Sequence, residues 1–568
     1  KYYENKKIKL TILEIYFCII VAAFQQFFHE KNLAPYFGSI DSLTRAMGDV
    51  SFDHQGRRIQ GMRMQNTGDV YAVNGWEAMP YDNHSGIVDI YRNCKGNPST
   101  FTYYTQPLYV AVSPRTQFVH LPGKVPVDFY IVNEKNLSGK YRLSVFVCTP
   151  DGKEGKHIEK EVHITGGDCF GQLLLEHCQL EIEGVSGLYQ VKAQLRNASG
   201  HLCAEGKDEV LGIYWDKKQL KGKGALYGTP DDPVATFYQK ATGCELPAFH
   251  SDIEKLDWIV VTRSSLDAPQ PVPVEAFCQK EGKSVLELSL YKDDDLRTLA
   301  GVTQDNKIDR TFADGAQPDP LLPANQSFSA IWDGKLKAPQ SGTYMIGVTS
   351  DQGMRLSVNG QRIVDEWRNN KELTVVRPFL LKAGDEVAVR VEYSQRNPTG
   401  SVQLVWSLPD HAAIAPQELL DRVKEDGTSL LLLKSAESWM DAVSAYTGSA
   451  YHGYYSVGKN WVGGVHFVKE HPLFNGLPVN VAMGWPYQAL VRNGDRRLGL
   501  HIDNEELVAG SYGSAPFNLG SAVGIISCGK GKIYYSTLDL VDNLNNPAAA
   551  ADVARKLFCN FILLSKDR

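Results

Sequence analysis

Two uninterrupted apolar runs constrain this chain more than anything else in it: Trp258-Ile-Val-Val-Thr262 and Ser429-Leu-Leu-Leu-Leu433. A strand with one wet face alternates apolar and polar residues. An unbroken run belongs to a strand covered on both faces, as in a parallel sheet wrapped by helices. After the first run, Pro273–Gly282 leads into Ser284-Val-Leu-Glu-Leu288; before the second stands Pro416–Gly427. Each stretch reads as a helix begun by proline, ended by glycine and followed by a buried strand. The pattern predicts one α/β domain in two pieces, 222–287 and 410–565. It closes with the strand Lys532-Ile-Tyr-Tyr-Ser-Thr537 and a helix from Ala548 to Leu564. A foreign domain is cheaply placed at such an exposed loop.

The interrupting block, 288–409, alternates strictly in Val387-Ala-Val-Arg-Val-Glu-Tyr393 and Val402-Gln-Leu-Val-Trp406. Met354-Arg-Leu-Ser-Val358 runs into Asn359-Gly360, a hairpin signal because both turn residues tolerate positive φ. A second β block, 106–216, alternates in Val125–Ile131 and Tyr189–Leu195, with a turn at Asn136-Leu-Ser-Gly139. Short strands at about ten-residue spacing predict an immunoglobulin-like sandwich. With 568 residues the chain has room for several such domains. The expected fold class is multidomain α/β plus all-β.

Net charge is −6 with Lys and Arg scattered, which argues against nucleic acid as a partner. The ten cysteines contain no C-x-x-C pair, which argues against a zinc ribbon or thioredoxin-type site. Cys148, Cys169, Cys178 and Cys203 share the first sandwich, where disulfides and buried thiols are both open readings. Near the N-terminus, Lys6, Lys7 and Lys9 precede an apolar run from Ile15 to Phe24. That run is too short to span a bilayer. It is either a signal-peptide core or a buried strand or helix.

Three resemblances follow. Phe328-Ser-Ala-Ile-Trp-Asp-Gly334, Ser341-Gly-Thr-Tyr344, Thr349-Ser-Asp-Gln-Gly-Met-Arg-Leu356, Val358-Asn-Gly360, Ile363-Val-Asp365 and Val391-Glu-Tyr393 resemble the PA14 (protective-antigen-type) β-sandwich. Its adhesin branch binds calcium and sugar through paired aspartates; the corresponding place here reads Asp351-Gln352, and no metal is expected. Arg57-Arg-Ile-Gln-Gly-Met-Arg63, Asp69–Glu77, Asp82-Asn-His-Ser-Gly-Ile-Val-Asp89, Arg92-Asn-Cys-Lys-Gly-Asn97 and Gln106-Pro-Leu-Tyr109 resemble the end of the catalytic barrel of glycoside hydrolase family 2. Residues 1–105 are thus expected to be the tail of a (β/α)8 barrel. His471-Pro-Leu-Phe-Asn-Gly-Leu-Pro478 and Gly529–Asp539 resemble the glutamine-amidotransferase-like (flavodoxin-like) accessory domain of some large glycosidases. The catalytic cysteine elbow of true amidotransferases is not matched, since Cys528 lies between two strands. Gly529-Lys-Gly-Lys532 precedes a strand and reads as a hairpin turn, not a phosphate loop.

The family 2 resemblance implies a β-glycosidase whose substrate is an oligo- or polysaccharide, with no cofactor and secreted by analogy; self-association is left open. Glycoside hydrolysis needs two carboxyl groups flanking the scissile bond, and barrels carry them at carboxyl strand ends. Val70-Tyr-Ala-Val73 followed by Asn74-Gly-Trp-Glu77 fits such an end. Glu77 is the candidate catalytic carboxylate, or alternatively a residue that bonds substrate or braces another side chain; Trp76 would stack on a sugar ring. Asn74, Asp82, Asn83 and His84 are candidate hydroxyl-binding groups. Glu14 is a lesser candidate for the end of the preceding strand. A whole barrel takes about 250 residues, so residues 1–105 hold at most the final two units. The earlier strands, with the partner carboxylate, are expected to lie upstream of Lys1.

Overall fold

The computed structural model describes residues 12–66, 87–89, 91–220, 222–229, 231–250, 252–264, 270–280, 283–284, 286–408, 416–456, 466–491, 498–511 and 519–565. The protein is mostly β and divides into two compact units, 1–263 with 417–568, and 264–416.

The first unit opens with helices α1 (Ile12–Glu30), α2 (Ala34–Phe37) and α3 (Ile40–Met64), followed by α4 (Ser99–Tyr104). The apolar run Ile15–Phe24 lies inside α1. Phe27, Leu33, Phe37 and Leu43 are buried against Phe467, Leu507 and Leu519, with the Phe37 and Phe467 rings edge to face at 5.5 Å. Among the described residues of 1–105 there is no strand beyond a single bridge between Val88 and Cys94, and no closed barrel forms. This corrects the barrel expectation for these residues. The physical reason is helical periodicity: Leu43, Phe52, Gly56, Ile59, Gln60 and Arg63 form one buried stripe on α3. Glu14 is likewise helical rather than at a strand end.

A two-sheet sandwich follows: β1 (Leu108–Pro114), β2 (Phe118–His120), β3 (Gly123–Asn133), β4 (Gly139–Cys148), β5 (Glu154–Ile164), β6 (Gly171–Ile182), β7 (Gly187–Arg196) and β8 (Leu202–Ile213). One sheet runs β1-β3-β6 and the other β2-β8-β7-β4-β5. Val125, Val127, Phe129 and Ile131 of β3 meet Val191, Ala193 and Leu195 of β7 in the core, as their alternation requires. Cys148, Cys169, Cys178 and Cys203 are all free thiols.

The unit then forms a mixed sheet. β9 (Gly224–Tyr227), β10 (Trp258–Val261), β11 (Ser429–Leu432) and the strand Gly531–Ser536 lie parallel, side by side. Antiparallel strands, beginning with Gly520–Cys528, extend one edge. Both apolar runs are buried along their length. Ile259 sits between Ala225 and Leu430, so the sheet is continuous across the interruption of the chain. Trp258, Val260, Leu431 and Leu433 face Val234 and Phe237 of α5 (Pro233–Thr242) and Val553–Ile562 of the C-terminal helix. The first sandwich contributes Phe118, Leu211 and Ile213 to that core. Asp232 caps α5, its carboxylate accepting the Val234 N–H at 2.8 Å, and Gly243 ends it at φ 77. Pro416 opens α6 (Pro416–Asp421), and the helical turns after it stop at Gly427, φ 74.

The second unit is a β-sandwich with a six-stranded sheet opposite a five-stranded one. Asn359 and Gly360 take φ 48 and 79 in the turn between strands Gly353–Val358 and Gln361–Glu366. The helix expected over Pro273–Gly282 does not form; one 3-10 turn, Val274–Ala276, gives way to extended Phe277, buried and bridged to Leu336. The strand expected at Ser284–Leu288 joins this sandwich instead of the mixed sheet, as Leu286–Tyr291 paired to Phe328–Lys337. Exposed Glu287 between buried Leu286 and Leu288 explains why, since it marks a strand with one wet face.

Candidate functional site

Asn74, Trp76, Glu77, Asp82, Asn83 and His84 lie in 67–86, outside the described residues. Both flanks of that segment are fixed to neighbouring structure. At the near end, Asn66 at φ 52 accepts the N–H groups of Phe170 (2.9 Å) and Gly171 (3.3 Å). One turn earlier, buried Arg63 donates to Tyr104 O (2.7 Å), Gln106 O (2.8 Å) and Glu134 Oε1 (2.6 Å), and lies over the Tyr109 ring. Tyr104 and Gln106 flank the start of β1, so this guanidinium seats α3 on the sandwich. At the far end, residues 94–97 lie against α3. A Cβ on Gly48 would stand 1.9 Å from Lys95 O, and Asp49 Oδ1 accepts the Asn97 N–H at 2.5 Å.

Arg57, quoted above within a motif, proves to be a strut. Its Nη1 donates to Asp208 Oδ2 (2.8 Å), its Nε to Asp53 Oδ2 (2.9 Å), and it lies over Trp485. Burial works against its charge, but Asp208 and then Asp53 outweigh that and hold the guanidinium above its ordinary pKa. Burial raises the Asp208 carboxyl against the pull of Arg57.

The carboxyl ends of parallel strands are where open α/β sheets place ligands. At this edge β11 runs through Leu433 and Lys434 to Ser435, held at φ 54 and ψ 35, before a helical turn and α7 (Met440–Thr447). The arrangement is a strand–elbow–helix. No glycine flanks Ser435, so the sequence carried no signal for it. Burial raises the carboxyl pKa of Glu437 and of Asp441 just beyond. Lys434 pairs with Asp542 at 2.8 Å, and Thr262 hydrogen-bonds Asp232. Cys528 is buried at the end of its strand, and that burial raises its thiol pKa. Gly529 at φ 58 makes the expected hairpin turn.

In the second unit, Asp351 Oδ1 accepts the Ser401 N–H (2.6 Å) and hydroxyl (3.2 Å). Buried Gln352 donates to Thr399 O (3.1 Å) and accepts from Arg396 N (3.2 Å). Both side chains are therefore engaged in fixing the loop 396–401. Among the described residues no group of three His, Cys, Asp or Glu stands ready to hold a metal. A cleft of about 400 Å³ opens beside Asp309, Arg310, Phe312 and Gln317. No described helix is long and apolar enough to cross a membrane.

Residues 282–419 match the PA14 domain. A curated relative, Anti-sigma-I factor RsgI3 of Acetivibrio thermocellus, is 29% identical over 117 residues, which cover 21% of this chain and 18% of that protein. The chain thus spans less than a fifth of that relative. Among solved structures, a beta-glucosidase from Kluyveromyces marxianus in complex with glucose is 16% identical over 39% of this chain and 29% of its own (TM-score 0.22). The Epithelial Adhesin 9 A domain from Candida glabrata in complex with Galb1-4GlcNAc is 11% identical over 25% of this chain and 88% of its own (TM-score 0.18).

Proposed function

We propose that this chain belongs to a carbohydrate-active enzyme of the glycoside hydrolase family 2 type, acting on the β-glycosidic bonds of an oligo- or polysaccharide outside the cell. The observation that carries the reading is order along the chain. The family 2 wording of residues 57–109 passes without a break into β1, and a PA14 domain interrupts the α/β region further on. In this reading 106–216 is the immunoglobulin-like domain of such enzymes. The α/β pieces, trimmed to 222–263 and 417–565, are an amidotransferase-like accessory domain, and the interrupting unit 264–416 holds the PA14 insert. The mixed sheet with its elbow at Ser435 supports the second of these assignments. Glu77 serves as a catalytic carboxylate, Trp76 stacks on the sugar, and Asn74, Asp82, Asn83 and His84 bond its hydroxyls.

The test is hydrolysis of a panel of chromogenic β-glycosides by this chain. Glu77→Gln is expected to lower kcat by about 100-fold or more. Unchanged kcat removes Glu77 from the chemistry. The PA14 domain, whose adhesin branch binds sugar, favours a second reading, in which the chain binds carbohydrate without cleaving it. Binding of a β-linked oligosaccharide without hydrolysis selects that reading.

A further inference from the structure

The cleft of about 400 Å³ in the second unit follows the strand Asp309–Phe312 and the loop after it. Its volume lies within the roughly 300–1,000 Å³ usual for small-molecule sites. Apolar Phe312, Ala316 and Pro318 line it together with polar Asp309, Arg310 and Gln317. The strand pairs with Gly400–Gln403. The loop is fixed as well, Ala316 N donating to Ala313 O (3.2 Å) and Gln317 Nε2 to Leu322 O (2.9 Å). Arg310 is held by one edge only: its Nε donates to Asp305 Oδ2 (2.8 Å), an oxygen that also accepts Trp332 Nε1 (3.1 Å). Nη1 stands 4.0 Å from Asp319 Oδ2, too far for a hydrogen bond. Among the described residues neither terminal nitrogen of Arg310 has a hydrogen-bond acceptor. The donors of the fork are thus left for an incoming oxygen.

The charges around the cleft narrow the class of ligand. Asp305, Asp309 and Asp319 are set against Lys307 and Arg310, so the excess of carboxylates repels an anion while the free guanidinium fork repels a cation. Lys307 (3.0 Å) and Gln403 (3.0 Å) hold the Asp309 carboxyl below its ordinary pKa and keep it an acceptor. The 4.0 Å gap between Arg310 and Asp319 is one that a single oxygen bridges, accepting from Nη1 and donating to Oδ2. A hydroxyl does both, and a carboxylate or an ammonium does only one. We propose that this cleft of the PA14 domain binds a neutral saccharide, apart from the loop 396–401 that Asp351 and Gln352 secure; this rests on the carbohydrate reading above. Hydroxyls of the sugar bond Arg310, Asp309 and Asp319, and Phe312, Ala316 and Pro318 cover its C–H groups. Because strand and loop are already fixed, little ordering entropy is spent when the sugar arrives.

The test is fluorescence polarisation of the intact chain with end-labelled neutral (gluco-, galacto- and xylo-) and acidic (glucurono-) hexasaccharides, with amide exchange followed at saturation. A neutral probe is expected to bind best and to slow exchange over 309–317. Arg310→Met is expected to weaken that probe by about tenfold or more, as loss of a charged hydrogen-bond donor does. Ala316→Trp, at an exposed position, fills the cleft without disturbing the core and is expected to weaken binding as much, so the test survives if Arg310→Met folds poorly. Unchanged binding by Ala316→Trp, protection at 396–401 or elsewhere in place of 309–317, or preference for the acidic probe overturns the site and leaves the carbohydrate reading standing. If the natural chain binds no probe the site falls, and hydrolysis of the chromogenic panel decides the enzymatic reading on its own.

Discussion

Lys31 and Glu505, 474 positions apart in the chain, meet with Nζ 2.6 Å from Oε1, and the Glu505 side chain is wholly buried. Ser521 and Tyr535 donate their hydroxyls to the same carboxylate, and Lys31 also donates to Ile502 O at 3.2 Å. Lys31 closes the turn between α1 and α2, so this contact fastens the N-terminal helices to the mixed sheet. Removing one partner of a buried pair costs about 3–5 kcal/mol because the other charge is stranded. Lys31→Met is expected to lower the unfolding free energy measured in urea by that order, and Lys31→Met with Glu505→Gln to recover much of the loss. A double variant no better than the single one would show that the carboxylate is not stranded.

The same site predicts a pH dependence. Burial raises the Glu505 carboxyl above its ordinary value, with Lys31 and Ser521 opposing. The folded chain thus holds that proton more tightly than the unfolded chain. The stability this group contributes is complete below the ordinary glutamate range and is lost as pH rises through the raised value. Compared with Glu505→Gln, the natural chain is expected to gain stability as pH falls from 7 toward 5. A difference that is flat, or that widens the other way, would contradict the burial argument. His501, whose own pKa is lowered by burial and by His452, faces the same region, so His501→Gln is the control that separates its titration.

Arg57 and Asp208 offer a second buried pair, with side-chain exposures of 24% and 4%. Arg57→Met is expected to cost about 3–5 kcal/mol, largely from the stranded Asp208, and Asp208→Asn in that background to return part of it. Arg57→Lys should behave closer to Met than to Arg, because one ammonium cannot span Asp53 and Asp208 as the guanidinium fork does. Chemical denaturation of the four chains checks both points.

What was legible in the sequence was whatever a local pattern encodes. The runs at Trp258 and Ser429 announced buried parallel strands, and Asn359-Gly360 announced its hairpin, because burial on two faces and positive φ each restrict the residues a position accepts. The motif wording that identified the PA14 domain is of the same kind. Pro273–Gly282 failed although its end signals matched those of Pro416–Gly427. Pairing of Phe277 with Leu336 outweighed a short helix whose gain from propensity is small. Lys31 with Glu505, and Arg57 with Asp208, left no trace, since neither partner has a local pattern that points to the other. Ser435 was hidden for a different reason: its backbone adopts positive φ without the glycine or asparagine that usually betrays it.

Gly48 sets two known effects against each other. Alanine is the better helix former by about 1 kcal/mol, and Gly48 lies inside α3. Its Cβ, however, would stand 1.9 Å from Lys95 O and 2.7 Å from Lys95 C, and neither backbone atom can swing aside. Overpacking typically costs about 1–3 kcal/mol, so the clash is expected to win. Gly48→Ala should destabilise and should speed amide exchange at Lys95 and Asn97; a net gain in stability would show that the loop moves off α3 freely. Gly61, with open space around it, is the matched control, where alanine should stabilise.

Tyr189 closes a corner of the first sandwich. Its hydroxyl reaches back to Val185 O (2.8 Å) and Glu183 O (3.0 Å) across a tight turn that holds Gly184 at φ 119 and Gly187 at φ 155. The ring itself is core, buried between the sheets and packed so closely on Gly212 that a Cβ there would stand 2.6 Å from it. Tyr189→Phe therefore keeps the packing and removes the one donor serving both carbonyls, at a cost of about 1 kcal/mol. The loss should be local. Amide exchange at Val185 and Gly187 is expected to quicken by about fivefold, while β4 and the far end of β7 exchange as before. Uniform quickening across the sandwich would instead assign the hydroxyl to global stability, and unchanged exchange would show that water replaces it without cost.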